Sequence, residues 1–216
     1  LKQKMLKSVY QNGGFYIGKY ETGIEDYPKT SYTSELTQTP VIKQNAYPYN
    51  WVTCSQAQTL SNSMESGSHT SSLMFGVQWD LVLKYLETKG TAQEDLKTNS
   101  TSIGNYNNNL WNITNVNSKY APNGSGWTSE TRGKKEANET VLLSTGASEI
   151  FSKQGIYDIA GNVWEWTLEY TSDTSSPCAG RGGSCDIYGG DYPASCRNRN
   201  TTIYYFSNVG FRVALF

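Results

Sequence analysis

The first helical pattern in the chain follows residue 53, where apolar residues recur on one side of a predicted helix. Thr53 and Gln56 have the spacing of a capping box, in which each side chain accepts a hydrogen bond from the backbone of the other residue. The apolar positions that follow on one helical face are Cys54, Ala57, Leu60 and Met64. These residues predict a helix that begins just after Thr53 and buries its apolar side.

A second helical pattern is longer and more regular. Its apolar residues fall at i, i+4, i+7, i+8 and i+11, which places them on one face of an α-helix: Phe75, Trp79, Val82, Leu83 and Leu86. Lys84 and Lys89 lie late in the segment, and Gly90 is placed to end the helix in a left-handed conformation. We interpret this segment as a core helix.

Alternating apolar residues predict a strand at each end of the chain. Residues 14–20 alternate Phe15 and Ile17 with Tyr16 and Tyr20, as a half-buried strand does. The last residues alternate in the same way, and one face would carry Val209, Phe211, Val213 and Leu215. We expect these two strands to pair, which would bring the chain ends together.

Length and composition are typical of a single loop-rich domain. A chain of 216 residues fits one core with long surface loops, so we expect one domain spanning residues 1–216. The chain has 16 Tyr, 6 Trp and 20 Gly but only 17% charged residues, which indicates an extracellular, β-containing protein. Residues 91–147 are rich in Asn, Ser, Thr and Gly, which predicts irregular loops and short strands. Because the chain opens with Leu1, we expect it to be the C-terminal part of a longer protein.

Charge and hydropathy argue against two classes of partner. The formal net charge of −1 gives no long-range field that would attract phosphate backbones, so we expect no nucleic-acid binding. No apolar run approaches the roughly 20 residues of a membrane helix, so we expect no direct membrane insertion of this fragment.

The cysteines lack the paired short spacing of most zinc sites, and disulfides stay open in three connectivities among Cys54, Cys178, Cys185 and Cys196.

The stretch GIYDIAGNVWEWT at residues 155–167 is the most specific motif in the chain. It is similar to the signature of the formylglycine-generating-enzyme (sulfatase-modifying factor) family, and further motifs of that family occur in order: GFYIGKYETG, PYNWVTCSQA, LMFGVQWDLVLKYL, RGGS and NVGFRVA. The resemblance implies an α+β protein of C-type-lectin-like fold, with two helices, small antiparallel sheets and much irregular loop. Gly161 and Asn162 within the motif suit a turn with unusual backbone angles.

The resemblance also implies where an active site would lie. Family enzymes oxidise a cysteine of a target sulfatase with a copper-binding cysteine pair, located a few residues after RGGS, and soft thiolates are what copper(I) requires. Here Cys185 directly follows Ser184, whereas the next cysteine, Cys196, lies much further along the chain. This departure predicts that the chain is not an enzyme, and a copper-dependent formylglycine-generating oxidase is the alternative from another class.

A structural calcium ion is a further implication of the resemblance. Asp158, Gly161, Val163 and Glu165 match positions that, in the family, supply calcium with two side-chain oxygens and two backbone carbonyls. The alternative is that Asp158 caps the turn while Glu165 forms a buried hydrogen bond or ion pair. Both interpretations stay open from the sequence.

The C-terminal segment from Arg181 to Phe216 has a restricted alphabet, since it contains no Lys, Glu, Gln, Met or Trp. Some domains of the fold implied by the resemblance are variable proteins of diversity-generating retroelements, in which adenines of Asn-type codons ending in a pyrimidine are randomised. Such codons cannot encode those five residue types. The segment therefore resembles such a variable region, although chance absence, with the aromatic residues filling a core, stays open.

The residues predicted to bind a ligand lie between the framework-like pieces RGGS, GGDYPAS and NVGFRVA. They are Cys185, Asp186, Ile187, Tyr188, Cys196, Arg197, Asn198, Arg199, Asn200, Ile203, Tyr204, Tyr205, Phe206 and Ser207. Tyr and Phe offer rigid amphipathic contact area, and Arg offers forked donors, as in antibody paratopes. We expect a non-catalytic domain that binds a protein or glycan ligand on another cell or host surface. We expect it to be extracellular or displayed on the surface of a bacterium or phage, with a fixed-specificity surface module as the alternative.

Overall fold

The structure, a computed structural model, describes residues 1–64, 67–128 and 132–216. Within these ranges the helices are α1 (Lys2–Asn12), α2 (Cys54–Ser63), α3 (Gly76–Thr88) and α4 (Gln93–Lys97), with a 3-10 turn at Glu149–Phe151. None of the helices in these ranges has the length and apolar character needed to cross a bilayer. The rest of the described chain consists of short strands and loops.

The strands are short and form several small sheets. In chain order they are β1 (Tyr16–Ile17), β2 (Gly23–Ile24), β3 (Tyr47–Pro48), β4 (Ser71–Leu73), β5 (Trp111–Asn112), β6 (Tyr120–Pro122), β7 (Lys134–Lys135), β8 (Val141–Leu143), β9 (Ser152–Lys153), β10 (Ile156–Tyr157), β11 (Trp164–Tyr170), β12 (Cys178–Arg181), β13 (Arg197–Asn200), β14 (Val209–Phe211) and β15 (Val213–Leu215). The largest described sheet has the order β13-β12-β11-β14, and a second has the order β1-β15-β4. The remaining strands pair two by two.

Both helices predicted from apolar spacing are present. Helix α2 begins after Thr53, whose hydroxyl accepts a hydrogen bond from the backbone of Gln56 while the Gln56 side chain accepts one from the backbone of Thr53. Helix α3 buries the predicted apolar face and is followed by Gly90 at φ +99°. Helices α1 and α4 were not predicted, because each buries a single apolar residue, Met5 in α1 and Leu96 in α4, which gives no apolar period.

The two ends of the chain pair as predicted. In the antiparallel pair of β1 and β15, Tyr16 lies opposite Leu215 and Ile17 lies opposite Ala214. The C-terminal alternation, however, is divided between two sheets, since β14 pairs in parallel with β11 while β15 pairs with β1 and β4. Arg212 separates these strands, and its side chain is turned into the protein, where it needs polar partners from several segments.

The core contains two main apolar clusters. One is built on α3 and includes Trp79, whose indole N–H donates to the Ala194 carbonyl oxygen over 2.9 Å. The other lies between α2, β11 and β14 and includes Trp166, whose indole N–H donates to the Val52 carbonyl oxygen over 2.9 Å. Each indole therefore has its polar atom satisfied while its ring fills the core.

The turn before β11 has the unusual backbone predicted for it. Asp158, Gly161 and Asn162 have φ angles of +57°, +70° and +59°. A Cβ atom added to Gly161 would lie 2.3 Å from the Asn105 carbonyl oxygen, so the close approach of the two backbones requires glycine. This contact places the turn against the loop that contains Asn105.

Arg212 is fully buried and joins three distant parts of the chain. Its guanidinium donates to the two carboxylate oxygens of Glu165 over 2.7, 3.0 and 3.2 Å. It also donates to the carbonyl oxygens of Gly18 over 2.9 Å and Tyr157 over 2.8 Å. A buried cation needs such a set of partners because the protein interior replaces its hydration.

We expect Arg212→Met to lower the free energy of unfolding by about 3–5 kcal/mol, because the buried Glu165 carboxylate loses its partner. The Lys43–Glu25 ion pair provides the matched control, since both of its side chains are 56% exposed. Lys43→Met is expected to cost about 1 kcal/mol or less. Urea denaturation measures both differences, with Arg212→Lys as a second variant that keeps the charge. Equal losses at the two sites would contradict the central role of Arg212.

Candidate functional site

The structure places most of the predicted ligand-binding residues at the surface. The exposed members of the set are Asp186, Tyr188, Arg197, Arg199, Ile203 and Phe206. The half-buried members are Ile187, Cys196, Asn198, Tyr204, Tyr205 and Ser207. The buried members are Cys185 and Asn200, which are 1% and 8% exposed.

Cys185 and Asn200 are therefore corrections to the predicted surface. Cys185 packs in an apolar cluster with Leu142 and Val163, and its backbone N–H donates to Asn162 over 3.0 Å. Asn200 ends β13 on the inward-facing side of the strand, following the alternation of exposed and buried residues along it. Neither side chain can contact a ligand without a rearrangement of the core.

Five aromatic residues and one isoleucine give the candidate site its apolar character. We call it the aromatic groove, a depression of about 690 Å³ lined by Tyr32, Trp51, Thr53, Thr201, Ile203, Tyr204, Tyr205 and Phe206. The rings of Tyr32 and Tyr205 are stacked, with centroids 4.1 Å apart and planes at 19°. The groove thus joins the C-terminal segment to residues from the first quarter of the chain.

The loop that carries residues 203–207 is held mainly through its backbone. The backbone N–H of Trp51 donates to the Phe206 carbonyl oxygen over 3.1 Å. The Asn50 side-chain amide donates to the Ser207 carbonyl oxygen over 2.6 Å. These bonds do not depend on the side chains at positions 206 and 207, since every residue has a carbonyl oxygen there.

Tyr204 differs from its neighbours because its ring is partly in the core. It packs edge-on against Trp166, with ring centroids 6.1 Å apart. Burial raises the pKa of Tyr204, and the nearby charge of Asp186 adds to the effect. Asp186 in turn accepts two hydrogen bonds from the Asn208 side chain over 2.9 and 3.0 Å. Asp186, the acidic residue of the predicted set, therefore lies close to the groove.

The segment around Ile187 is also held through backbone atoms. The backbone N–H of Asn107 donates to the Ile187 carbonyl oxygen over 2.9 Å. The backbone N–H of Gly189 donates to the Asn108 side-chain oxygen over 3.2 Å. The exposed Tyr188 lies between these two contacts, and neither contact involves its ring.

A buried lysine holds the loop that supports this segment. Lys135 is 0% exposed, and its ammonium donates to the carbonyl oxygens of Tyr106, Asn107 and Asn109 over 2.8, 2.8 and 2.7 Å. Burial lowers the pKa of Lys135 to about 8. No pattern in the sequence indicated this role, because Lys135 lies in a polar stretch without apolar periodicity.

Arg197 and Arg199 belong to a different neighbourhood from the aromatic groove. The Arg197 guanidinium contacts Glu169 over 2.6 Å and Asp80 over 2.5 Å. Arg199 lies 3.9 Å from Asp173. Neither arginine lines the groove, so the predicted surface is divided into an aromatic part and a part where the cations are already paired with carboxylates.

The two cysteines of the predicted set are not brought together. Cys185 packs in the cluster around Val163, whereas Cys196 packs against the cluster around Trp166. Both are free thiols. Burial raises the pKa of Cys185 well above its ordinary value, and burial also raises the pKa of Cys196. Burial thus favours the thiol form at both positions, whereas copper binds the thiolate.

The four positions that matched a calcium site lie within one short stretch of chain, and the side-chain oxygens of two of them accept hydrogen bonds. Both carboxylate oxygens of Glu165 accept from Arg212. The Asp158 carboxylate accepts from the backbone N–H of Gly146 over 2.9 Å. Within the described ranges, no group of three or more His, Cys, Asp or Glu side chains is arranged to hold a metal ion. Glu165 therefore forms the ion pair of the alternative interpretation, and a calcium ion at these positions stays a prediction.

Three residues that form or support the groove were missed by the sequence analysis: Tyr32, Asn50 and Trp51. They lie roughly 150 residues before the C-terminal segment, so no spacing relates them to it. Trp51 has a φ of +56°, which is rare for a bulky residue and sets its position at the groove. The only sequence signal was the PYNW motif itself, which contains Asn50 and Trp51.

A family model, the sulfatase-modifying factor enzyme 1-like domain, matches residues 7–215. The chain belongs to this family. Two solved structures are similar to this sulfatase-modifying factor enzyme 1-like domain. CarF shares 14% sequence identity with a TM-score of 0.50, over 98% of this chain and 80% of that chain. Treponema denticola variable protein 1 shares 16% identity with a TM-score of 0.49, over 93% of this chain and 84% of that chain. No curated protein matches the chain.

The family match confirms the resemblance seen in the motifs and the predicted α+β, C-type-lectin-like fold class. CarF shows that the same fold extends over nearly the whole of this sulfatase-modifying factor enzyme 1-like domain. The predicted two helices correspond to α2 and α3, and the structure adds α1 and α4.

We expect the thermal midpoint of this sulfatase-modifying factor enzyme 1-like domain to be the same in excess EDTA and in millimolar calcium. The reason is that both oxygens of the Glu165 carboxylate are already engaged by the Arg212 guanidinium. Differential scanning fluorimetry in both solutions, with magnesium as the control cation, measures the difference. A calcium-specific rise of several degrees would contradict the ion-pair interpretation and restore the calcium site.

Proposed function

We propose that this sulfatase-modifying factor enzyme 1-like domain is a non-catalytic ligand-binding domain that presents the aromatic groove on a secreted or surface-displayed bacterial or phage protein. The observation that carries the proposal is the separation of backbone from side chains at residues 203–207. The carbonyl oxygens of Phe206 and Ser207 accept from Trp51 and Asn50, while the side chains of Ile203 and Phe206 are 76% and 50% exposed. The exposed positions of such a loop can change their side chains while its backbone keeps its position.

The restricted alphabet of residues 181–216 supports diversification of this surface. Every residue at positions 203–207 can be reached from an Asn-type codon by changes at adenine. The backbone contacts at residues 206 and 207 tolerate such changes, whereas Tyr204 also packs against Trp166. A fixed-specificity module would use the same groove, but its codons would not vary within a population. The backbone contacts favour the diversified form, because a fixed site has no need to be independent of its side chains.

The chemistry of the groove favours a protein partner over a glycan. Its walls are aromatic and aliphatic, with Thr53 and Thr201 as the only hydroxyl side chains besides tyrosine among its lining residues. Stacked Tyr32 and Tyr205 offer rigid area with few rotatable bonds to fix on binding. Buried aromatic side chains of this kind dominate the energetics of protein interfaces.

The position of the cysteines supports a binding role over a copper-dependent oxidase. Cys185 and Cys196 lie against different apolar clusters, whereas the oxidase chemistry requires two neighbouring thiolates. The burial of Cys185 beneath the surface adds to this argument, since a sulfatase substrate would have to reach it.

We expect Phe206→Ser to change the free energy of unfolding by about 1 kcal/mol or less, because the side chain is half exposed and the loop is held by its carbonyl oxygen. Phe211→Ser is the matched control within the same segment. Phe211 is 0% exposed, and its loss is expected to cost about 3–5 kcal/mol. Urea denaturation gives both values. A loss at Phe206 as large as that at Phe211 would show that the loop is a structural element and not a display surface.

The binding function itself is tested by a display library with residues 203, 205 and 206 randomised, selected against hen egg-white lysozyme as a defined folded protein. We expect saturable clones that lose binding on Trp51→Ala, because Trp51 forms the opposite wall of the groove. A library randomised at Val77, Leu81 and Tyr85, the exposed apolar residues of α3, is the control for non-specific adhesion. Equal yields from the two libraries, or clones insensitive to Trp51→Ala, would reject the groove as the binding site.

A further inference from the structure

Two cysteines outside the predicted surface are in contact with each other. The side chains of Cys54 and Cys178 are within hydrogen-bond distance, although the residues are more than about 120 positions apart in the chain. The Cys54 sulfur also lies 3.7 Å from the Thr167 carbonyl oxygen, and Thr167 pairs across the sheet with Ala179, the neighbour of Cys178. The contact is therefore fixed by the pairing of β11 with β12 and by the start of α2.

The position of this pair relates it to the aromatic groove. Cys54 directly follows Thr53, which lines one wall of the groove together with Trp51. Cys178 lies opposite Asn200 in the β12–β13 pair, and Asn200 directly precedes Thr201 on the other wall. A covalent bond between the two sulfurs would join the walls from below.

We propose that Cys54 and Cys178 are a disulfide site, oxidised by a small-molecule or protein disulfide, which crosslinks the two walls of the aromatic groove. Both thiols are partly exposed, so a disulfide reagent can reach them, in contrast to the buried Cys185. The two thiols already interact in the reduced structure, so the crosslink joins groups that are neighbours.

The reaction is a thiol–disulfide exchange in two steps. The Cys178 thiolate attacks one sulfur of the oxidant, which breaks the oxidant's S–S bond and releases its other half as a thiol. The Cys54 thiolate then attacks the Cys178 sulfur of the mixed disulfide, which releases the second half as a thiol. The protein loses two electrons and two protons, and the oxidant is reduced to two thiols.

The order of the two steps follows from the environment of the sulfurs. Burial, with a smaller effect of neighbouring Cys178, raises the pKa of Cys54 to about 12. Burial also raises the pKa of Cys178, but the hydrogen bond with Cys54 opposes this effect, so Cys178 is the thiol that attacks the oxidant first. Because the thiolate is the reactive form, exchange is expected to be slow at neutral pH and faster at mildly alkaline pH.

The crosslink is tested by oxidising the reduced domain with oxidised glutathione at mildly alkaline pH. Alkylation of the remaining thiols and peptide mapping without reduction then identify the linked cysteines. We expect one linked peptide pair that contains Cys54 and Cys178, with half of the four thiols lost. We also expect a thermal midpoint about 5–10 °C higher that reverts with dithiothreitol, because the crosslink closes a long loop in the unfolded chain.

Two variants make the test specific. Cys178→Ala is expected to abolish both the linked peptide and the thermal shift, whereas Cys196→Ala, which leaves the pair intact, is expected to retain both. Absence of the linked peptide from oxidised wild-type protein, or a link that involves Cys185 or Cys196 in its place, would overturn the proposal.

The consequence for binding rests on the proposed function. A lysozyme-binding clone of the groove library is expected to bind about tenfold tighter when oxidised, since the walls are held in place before the ligand arrives. An equal dissociation constant in both states would overturn this consequence. A library that yields no groove binders counts against the proposed function alone, because peptide mapping tests the formation of the disulfide independently of binding.

Discussion

The buried ion pair between Arg212 and Glu165 connects the parts of the chain that must be in place before a groove can exist. A guanidinium inside a protein is stable only with a full set of partners, and these come from Gly18, Tyr157 and Glu165. Satisfying them brings the first strand, the turn of the 155–167 motif and the C-terminal strands to one point. The same arrangement fixes β11, whose Trp166 supports Tyr204 at the groove.

On this framework, much of the candidate surface is attached through backbone atoms, and the Tyr204 ring adds a side-chain contact with Trp166. Asn50 and Trp51 bind the carbonyl oxygens of residues 206–207, and the loop held by Lys135 supports the segment around Ile187. The energetic demands of the fold are thus met by residues outside the exposed set. Under the proposed function, this division would let the exposed side chains vary while the fold is kept.

The candidate site could be predicted from the sequence only in part. The composition of the C-terminal segment indicated Ile203, Tyr205 and Phe206, all of which line the groove. Composition could not distinguish these exposed residues from the buried Cys185 and Asn200, because the same codons encode residues at buried and at exposed positions. It also grouped Arg197 with the aromatic residues, whereas Arg197 contacts Asp80 on α3. Which side chains share a surface depends on strand pairing, and the residue types present in the segment carry no information about strand pairing.

The sequence by itself determined the elements whose signal is local. The capping box at Thr53, the apolar face of α3 and the turn at Gly161 depend on spacings within a few residues, and each is present in the structure. Only the tertiary structure decided that Trp51 meets Phe206, that Cys54 meets Cys178 and that Glu165 pairs with Arg212. These contacts join residues that are distant in the chain, and they form because burial of the same core requires several segments to pack at once.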